Sequence, residues 1–145
     1  MTAENLFSLL NLVAVASWLL LILAPRARWT ATIVGSAAPS LLAFVYVVLV
    51  AATLRQSHGG FSSLAAVGAL FQNPWMLLAG WTHYLAFDLC IGWWEVRDAR
   101  WREIPHRFLV PALVLTFLFG PAGLLCYLTI RWFAKRSPLW RLRRA

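Results

Sequence analysis

The stretch Trp81-Thr82-His83-Tyr84-Leu85-Ala86-Phe87-Asp88-Leu89-Cys90-Ile91-Gly92-Trp93-Trp94-Glu95-Val96-Arg97-Asp98 decides how this chain reads. It begins as the second half of an apolar segment of membrane length, yet it holds Asp88 well inside that segment and Glu95 and Asp98 at its exit. A carboxylate at the centre of a membrane helix costs about 2.5–3.5 kcal/mol even on the mildest scales, so such a residue is by default a functional-site hypothesis. At about 100° per helical residue, Trp81, Tyr84, Asp88, Gly92 and Glu95 fall within roughly 80° of arc. One helix face therefore carries an aromatic, a phenol, an acid, a gap and a second acid. His83 points nearly the opposite way, which leaves Tyr84 as the local partner of Asp88. Two readings stand side by side for the acid: a group that moves protons, or a clamp hydrogen-bonded to a neighbouring helix. For Trp93, Trp94 and Trp101 the choice is between an interfacial aromatic belt and a ligand-stacking surface.

Working outward, the composition agrees with that opening. Of 145 residues, 61% are hydrophobic and 12% charged, where a soluble domain carries about twice that charge. The expected fold is all-α and integral to a membrane, one domain organised as a four-transmembrane-helix bundle. The spans fall at about 6–24, 30–54, 75–94 and 108–133, with a basic C-terminal tail over 134–145. The first follows Asn5, a cap candidate, and closes at Pro25; the second carries a small-residue patch, Gly35 to Ala38, and a kinking Pro39. Phe61 to Phe71 is apolar but too short to cross a bilayer, and reads as a short interfacial or partly re-entrant helix between spans two and three. Asn73-Pro74 opens the third span. The loop after it, Val96 to Pro105, alternates Arg97, Asp98, Arg100, Arg102 and Glu103, as either a paired polar network or a wet linker would.

The fourth span contains Gly120-Pro121-Ala122-Gly123 near its middle. Pro121 deprives the Phe117 carbonyl of its usual amide partner, and in lipid a freed carbonyl must be met by another helix, a water or a ligand. Thr116 is one candidate to meet it. The break marks either a pocket wall or a kink that improves packing.

The net charge of +8 is not a nucleic-acid signal, because six of the thirteen basic residues (Arg131, Lys135, Arg136, Arg141, Arg143, Arg144) crowd the last fifteen positions. They read as an anchor for anionic membrane lipid, and no nucleic-acid partner is expected. Cys90 and Cys126 both lie inside spans without metal or disulfide spacing. Neither a metal nor another cofactor is expected. The N-terminus, Thr2-Ala3-Glu4-Asn5, lacks the basic stretch of a signal peptide, so the first apolar segment is expected to be retained. Basic residues near span ends are almost balanced between the two sides of a four-span layout, and the unpaired terminal run favours both termini on the cytoplasmic side.

The residues Trp81-x-His83-Tyr84-Leu85-Ala86-Phe87-Asp88-Leu89-x-x-Gly92-x-Trp94, then Arg97-Asp98-Ala99, Ile104-Pro105-His106, and Pro111-x-Leu113-x-Leu115-Thr116-Phe117-x-Phe119-Gly120-Pro121-x-Gly123-Leu124-Leu125 together resemble the neoxanthin-synthesis family of small four-span membrane proteins. Its plant members are named for abscisic-acid deficiency. The resemblance is dense from about Trp81 to Arg131 and thinner before it; without a transit-peptide-like extension, the chain is similar to a bacterial-type member, expected in an inner membrane.

The resemblance implies a role in turning the epoxy-carotenoid violaxanthin into the allenic neoxanthin. That isomerisation has no net redox change and is open to acid–base groups. Asp88, Glu95, Asp98 and His106 match polar positions of the pattern and are the catalytic candidates. Trp81, Tyr84, Trp94, Thr116, Phe117, Gly120 and Pro121 are the candidates for lining an apolar, carotenoid-like or lipid ligand. The expected function is an isomerase-like activity on a carotenoid or other isoprenoid. Non-catalytic pigment or lipid binding, or a role in assembly, is the alternative, and a homo-oligomer stays open.

Overall fold

In the computed structural model, which describes residues 2–136 apart from the side chains of Lys135 and Arg136, the chain is all-α. The basic tail expected over 134–145 lies, beyond 136, outside the described residues. Helix α1 (Ala3–Leu23) is capped by Thr2, whose hydroxyl accepts from the Asn5 N–H at 3.2 Å, so Asn5 is inside the helix and is not its cap. Leu10, Ala14, Ser17, Trp18 and Leu21 form its buried stripe at helical spacing. After Pro25 the Thr30 hydroxyl donates to the Ala24 carbonyl at 2.8 Å and ties the short turn to the next helix.

That helix runs without a gap from α2 (Arg28–Thr32) through a π-helical turn, Ile33–Ala37, into α3 (Ala38–Thr53), ending in a 3-10 turn at Leu54–Gln56. The π turn sits directly ahead of Pro39. A proline offers no N–H and its ring collides with the carbonyl four residues back, here that of Gly35. One extra residue in the turn accommodates both defects, so the expected loosening at Pro39 is realised as a π turn. The Trp93 indole lies against Gly35, so close that a Cβ there would stand 2.8 Å from the ring. The small-residue patch is therefore a landing place for a tryptophan.

A short helix, α4 (Leu64–Leu70), stands between the long ones, capped by Ser63. Then α5 (Pro74–Trp101) opens on the Asn73 side chain, which accepts from the Trp75 N–H at 2.9 Å. Its 28 residues span about 42 Å. It continues past the expected end at 94 because Gly92, Glu95, Val96 and Ala99 keep a buried stripe at helical spacing while the arginines stay outside. The helix stops where Glu103 takes a left-handed φ of 58° and the Ile104 N–H donates back to the Ala99 carbonyl at 2.8 Å, a Schellman ending. The run expected as a loop is thus the last turns of a helix and a tight C-terminal turn, and of its charges Asp98 and Arg102 are paired.

The largest departure concerns the span expected over 108–133. The chain forms α6 (His106–Phe119) and α7 (Pro121–Arg136), and between them it reverses. Gly120 has φ 46° and ψ −98°, a conformation natural only to glycine. Thr116 of α6 reaches Glu95, while Tyr127 of α7 reaches Asp98, further toward the C-terminal end of α5. In one straight helix Tyr127 would lie about 16 Å beyond Thr116 in the other direction. The two helices therefore make a hairpin alongside α5, with Gly123 packed so tightly on the Thr116 backbone that a Cβ there would collide with it. A single fourth helix is corrected to a re-entrant-shaped pair because Gly-Pro at this point supplies a turn, where a kink was read. Among the described residues Ala3–Leu23 and Arg28–Gln56 are the helices both long and apolar enough to cross a bilayer; α5 has the length, with Thr82, His83 and Asp88 lowering its apolarity.

Candidate active site

The hairpin tip brings its turn to the middle of α5. Both carboxylate oxygens of Asp88 lie 3.0 Å from where a Gly120 Cβ would stand, so any side chain there would press on the acid. The acid thereby meets the start of α7, where the helix dipole favours a negative charge. Asp88 Oδ2 is buried and has no hydrogen-bond partner. Buried polar atoms are nearly always satisfied, so an orphaned acceptor calls for an explanation, and a ligand donor is one.

The carbonyl that Pro121 leaves free is met by Tyr84. Its hydroxyl donates to Phe117 O at 3.3 Å, across 33 residues of sequence. Asp88 is one helical turn further along α5, and the Tyr84 hydroxyl, with one proton, is spent on Phe117. Thr116, the satisfier suggested by sequence, is engaged elsewhere. Its hydroxyl lies 3.0 Å from Glu95 Oε1 and 3.0 Å from the Ala112 carbonyl. It can donate to the carboxylate, or donate to Ala112 while accepting from a carboxylic acid, so it bonds Glu95 in either protonation state. Glu95 itself is fully buried.

A groove of about 540 Å³ leads to this group from the side. Phe7, Leu77, Leu78, Trp81 and Tyr84 line it together with Glu4, so its walls are mostly apolar and carry one carboxylate and the Tyr84 side chain. Trp81 is held in place by donating from its indole N–H to Asn11 Oδ1 at 3.1 Å and by its packing against Phe7.

Tyr84, Asp88, Glu95, Thr116, Phe117, Gly120 and Pro121 are thus brought together around the turn, with Trp81 on the approach. Asp98, His106 and Trp94 are not. Asp98 lies ten residues beyond Asp88 on the same helix, about 15 Å along its axis. It accepts from the Tyr127 hydroxyl at 2.6 Å and from Arg102 Nε at 2.7 Å, with Arg131 Nε at 3.5 Å. Beyond the segment read as the third span, its burial pushes its carboxyl up, but the bonds from Arg102 and Tyr127 and the two guanidinium charges outweigh this and hold it below the usual value. Trp94 packs edge-on against Tyr127 with Arg131 over its ring, and belongs to this second cluster. His106 Nε2 lies 2.8 Å from the carbonyl of Ile22 and pins the start of α6 to the end of α1. His83, as its position on the helix implied, packs on the far face between Tyr46 and Phe87.

Sequence reasoning did not single out Trp18, Tyr127 or Arg131 as part of these clusters, whereas Asn11, expected to bond across to another helix, accepts from Trp81. The signal for Trp18 was present in the gap at Gly92: the Trp18 ring of α1 fills it and rests on Phe117.

Fold and site together define an all-α protein in which an acid-bearing helix faces the tip of a helical hairpin. Within that class, the chain matches the ABA DEFICIENT 4-like family over residues 5–127 and belongs to that family. No curated protein and no solved structure matches it.

Proposed function

We propose that this protein is a membrane-embedded isomerase of an oxygenated isoprenoid, of the violaxanthin-to-neoxanthin type linked to its family. In this reading α1, the continuous helix Arg28–Gln56 and α5 cross the bilayer, and the α6–α7 hairpin enters beside α5 from one side and returns to it. Arg26, Arg28, Arg97, Arg100, Arg102, Arg107 and Arg131 then share one side, and among the described residues Arg55 alone faces the other. The positive-inside rule supports the arginine-rich side as cytoplasmic, which places the N-terminus opposite and replaces the layout with both termini together.

The observation that carries the chemistry is the orphaned Oδ2 of Asp88, one helical turn from a tyrosine that lines a mostly apolar groove. An epoxide-bearing ring entering along Trp81 meets Tyr84 first. Tyr84 gives its proton to the epoxide oxygen as the carbon–oxygen bond breaks and its electron pair goes to that oxygen. Asp88 removes the proton from the adjacent vinylic carbon, and the released pair forms the second double bond of the allene. The proton on Asp88 returns to the neighbouring Tyr84 phenolate, so the cycle closes without oxidant or reductant. Glu95 and Thr116 fix the α5–α6 spacing and the position of the turn.

Expression in a host that makes epoxy-carotenoids, followed by chromatography, tests this. The expected result is a new pigment isomeric with the epoxide, lost in Asp88→Asn and in Tyr84→Phe. Unaltered pigment that co-purifies with the wild-type protein supports the binding role in place of catalysis.

A further inference from the structure

A second cavity lies at the arginine-rich end, away from Asp88. It is a crevice of about 540 Å³ between the α1–α2 turn and the α5–α6 turn. Val96 and Leu109 contribute its apolar floor, and Arg26, Arg100, Glu103 and His106 its polar rim. His106 is already committed to the Ile22 carbonyl through Nε2. The three charged groups are not committed. Among the described residues the ion pairs are those of Asp98 with Arg102 and Arg131, and neither Arg26, Arg100 nor Glu103 takes part in one. Two guanidiniums and a carboxylate thus surround a hollow without neutralising one another.

Basic pockets at the ends of membrane helices are where phospholipid head groups bind, because the phosphate meets charge at the depth where the acyl chains meet an apolar floor. The carboxylate narrows the choice. A phosphate set between the two guanidiniums leaves Glu103 to be met by a cation with N–H donors. A glycerol head group offers it no positive charge, and a choline offers charge but no N–H. We propose that this crevice binds the phosphoethanolamine head group of a membrane phospholipid, its phosphate on Arg26 and Arg100 and its ammonium on Glu103. The proposal rests on the membrane reading above.

Native mass spectrometry of the full chain, released from bilayers of equal phosphatidylethanolamine, phosphatidylglycerol and phosphatidylcholine content, reads it directly. Wild-type protein is expected to retain phosphatidylethanolamine in preference to the other two. The Arg26→Ala/Arg100→Ala double variant should lose that retention by about tenfold or more, the weight of a lost charge-assisted hydrogen bond. Glu103→Gln should keep lipid but lose the preference for ethanolamine. All three residues are exposed and unpaired, so the variants should fold, and their melting in detergent checks that they do. Equal retention of the three lipids by the wild type, or retention by the double variant equal to the parent's, overturns the proposal. Alkaline carbonate extraction separates the two failures: protein that washes off overturns the membrane reading, and protein that stays embedded without head-group preference overturns this one alone.

Discussion

Asp88 and Asp98 sit on one helix, ten residues apart, and the α6–α7 hairpin supplies the surroundings of both. Asp98 meets the body of α7 and is held by a phenol and two arginines. Asp88 meets the turn and keeps one buried oxygen without a partner. The same side chain is a fastener in one place and an unfinished site in the other. The difference lies in what faces it: long donors from a helix flank, or a glycine turn with no side chain to give. Stability should therefore reside at Asp98 and chemistry at Asp88.

The comparison breaks altogether if the hairpin cannot close. Gly123→Ala places a Cβ into the Thr116 backbone, which cannot retreat as a flexible side-chain tip would. We expect destabilisation beyond about 3 kcal/mol, at or above the upper range for overpacking, read by denaturant unfolding in detergent. A variant that melts like the parent would mean that α6 and α7 do not pack as described.

Of comparable size is Asp98→Ala. Removing one member of a partly buried charged network leaves the others uncompensated, at about 3–5 kcal/mol. The fully buried Tyr127 hydroxyl loses its acceptor as well. A loss under about 1 kcal/mol, the range of an exposed pair, would make the two acids alike and remove the contrast.

The pH dependence follows with its sign. The folded-state pKa of Asp98 is held below its ordinary 3.8. Its stabilisation is then fully present above the unfolded value and is lost as pH falls through the lower folded value. Parent protein should lose stability below about pH 4, and Asp98→Asn should flatten that acid limb. An unchanged limb in the variant would assign acid sensitivity elsewhere.

How much of this was legible in the sequence follows from the range of each interaction. The face carrying Trp81, Tyr84, Asp88, Gly92 and Glu95 is a local property of helical spacing, and the structure keeps these residues on the side that meets α1 and α6. The unpaired Phe117 carbonyl is equally local, because Pro121 dictates it. What satisfies that carbonyl is not local: Tyr84 lies 33 residues away, and Thr116, nearer in sequence, is drawn to Glu95. The hairpin was illegible for a different reason. Gly-Pro in an apolar run is compatible with a kink or with a reversal, and what selects between them is the close seating of Gly123 on Thr116, a tertiary fact. Arg131, assigned by position to a terminal anchor, turned back to Asp98 along with α7.

The smallest expected effect on stability is the one that matters most for function. Asp88→Asn keeps the volume and one carbonyl-type acceptor and removes the charge. Because no cation or donor is committed to Oδ2, no partner is stranded by the change. The variant should unfold within about 1 kcal/mol of the parent, the net worth of a hydrogen bond or less, while conversion of the epoxide stops because the amide cannot take a proton. A clamp would behave in the opposite way, since an acid that held the fold through its charge would transmit its loss to stability and spare turnover. Unfolding and turnover measured on the same variant therefore decide between the two readings of Asp88, with Asp98→Asn as the control in which stability is expected to fall and the groove, Tyr84 and the turn at Gly120 are left in place.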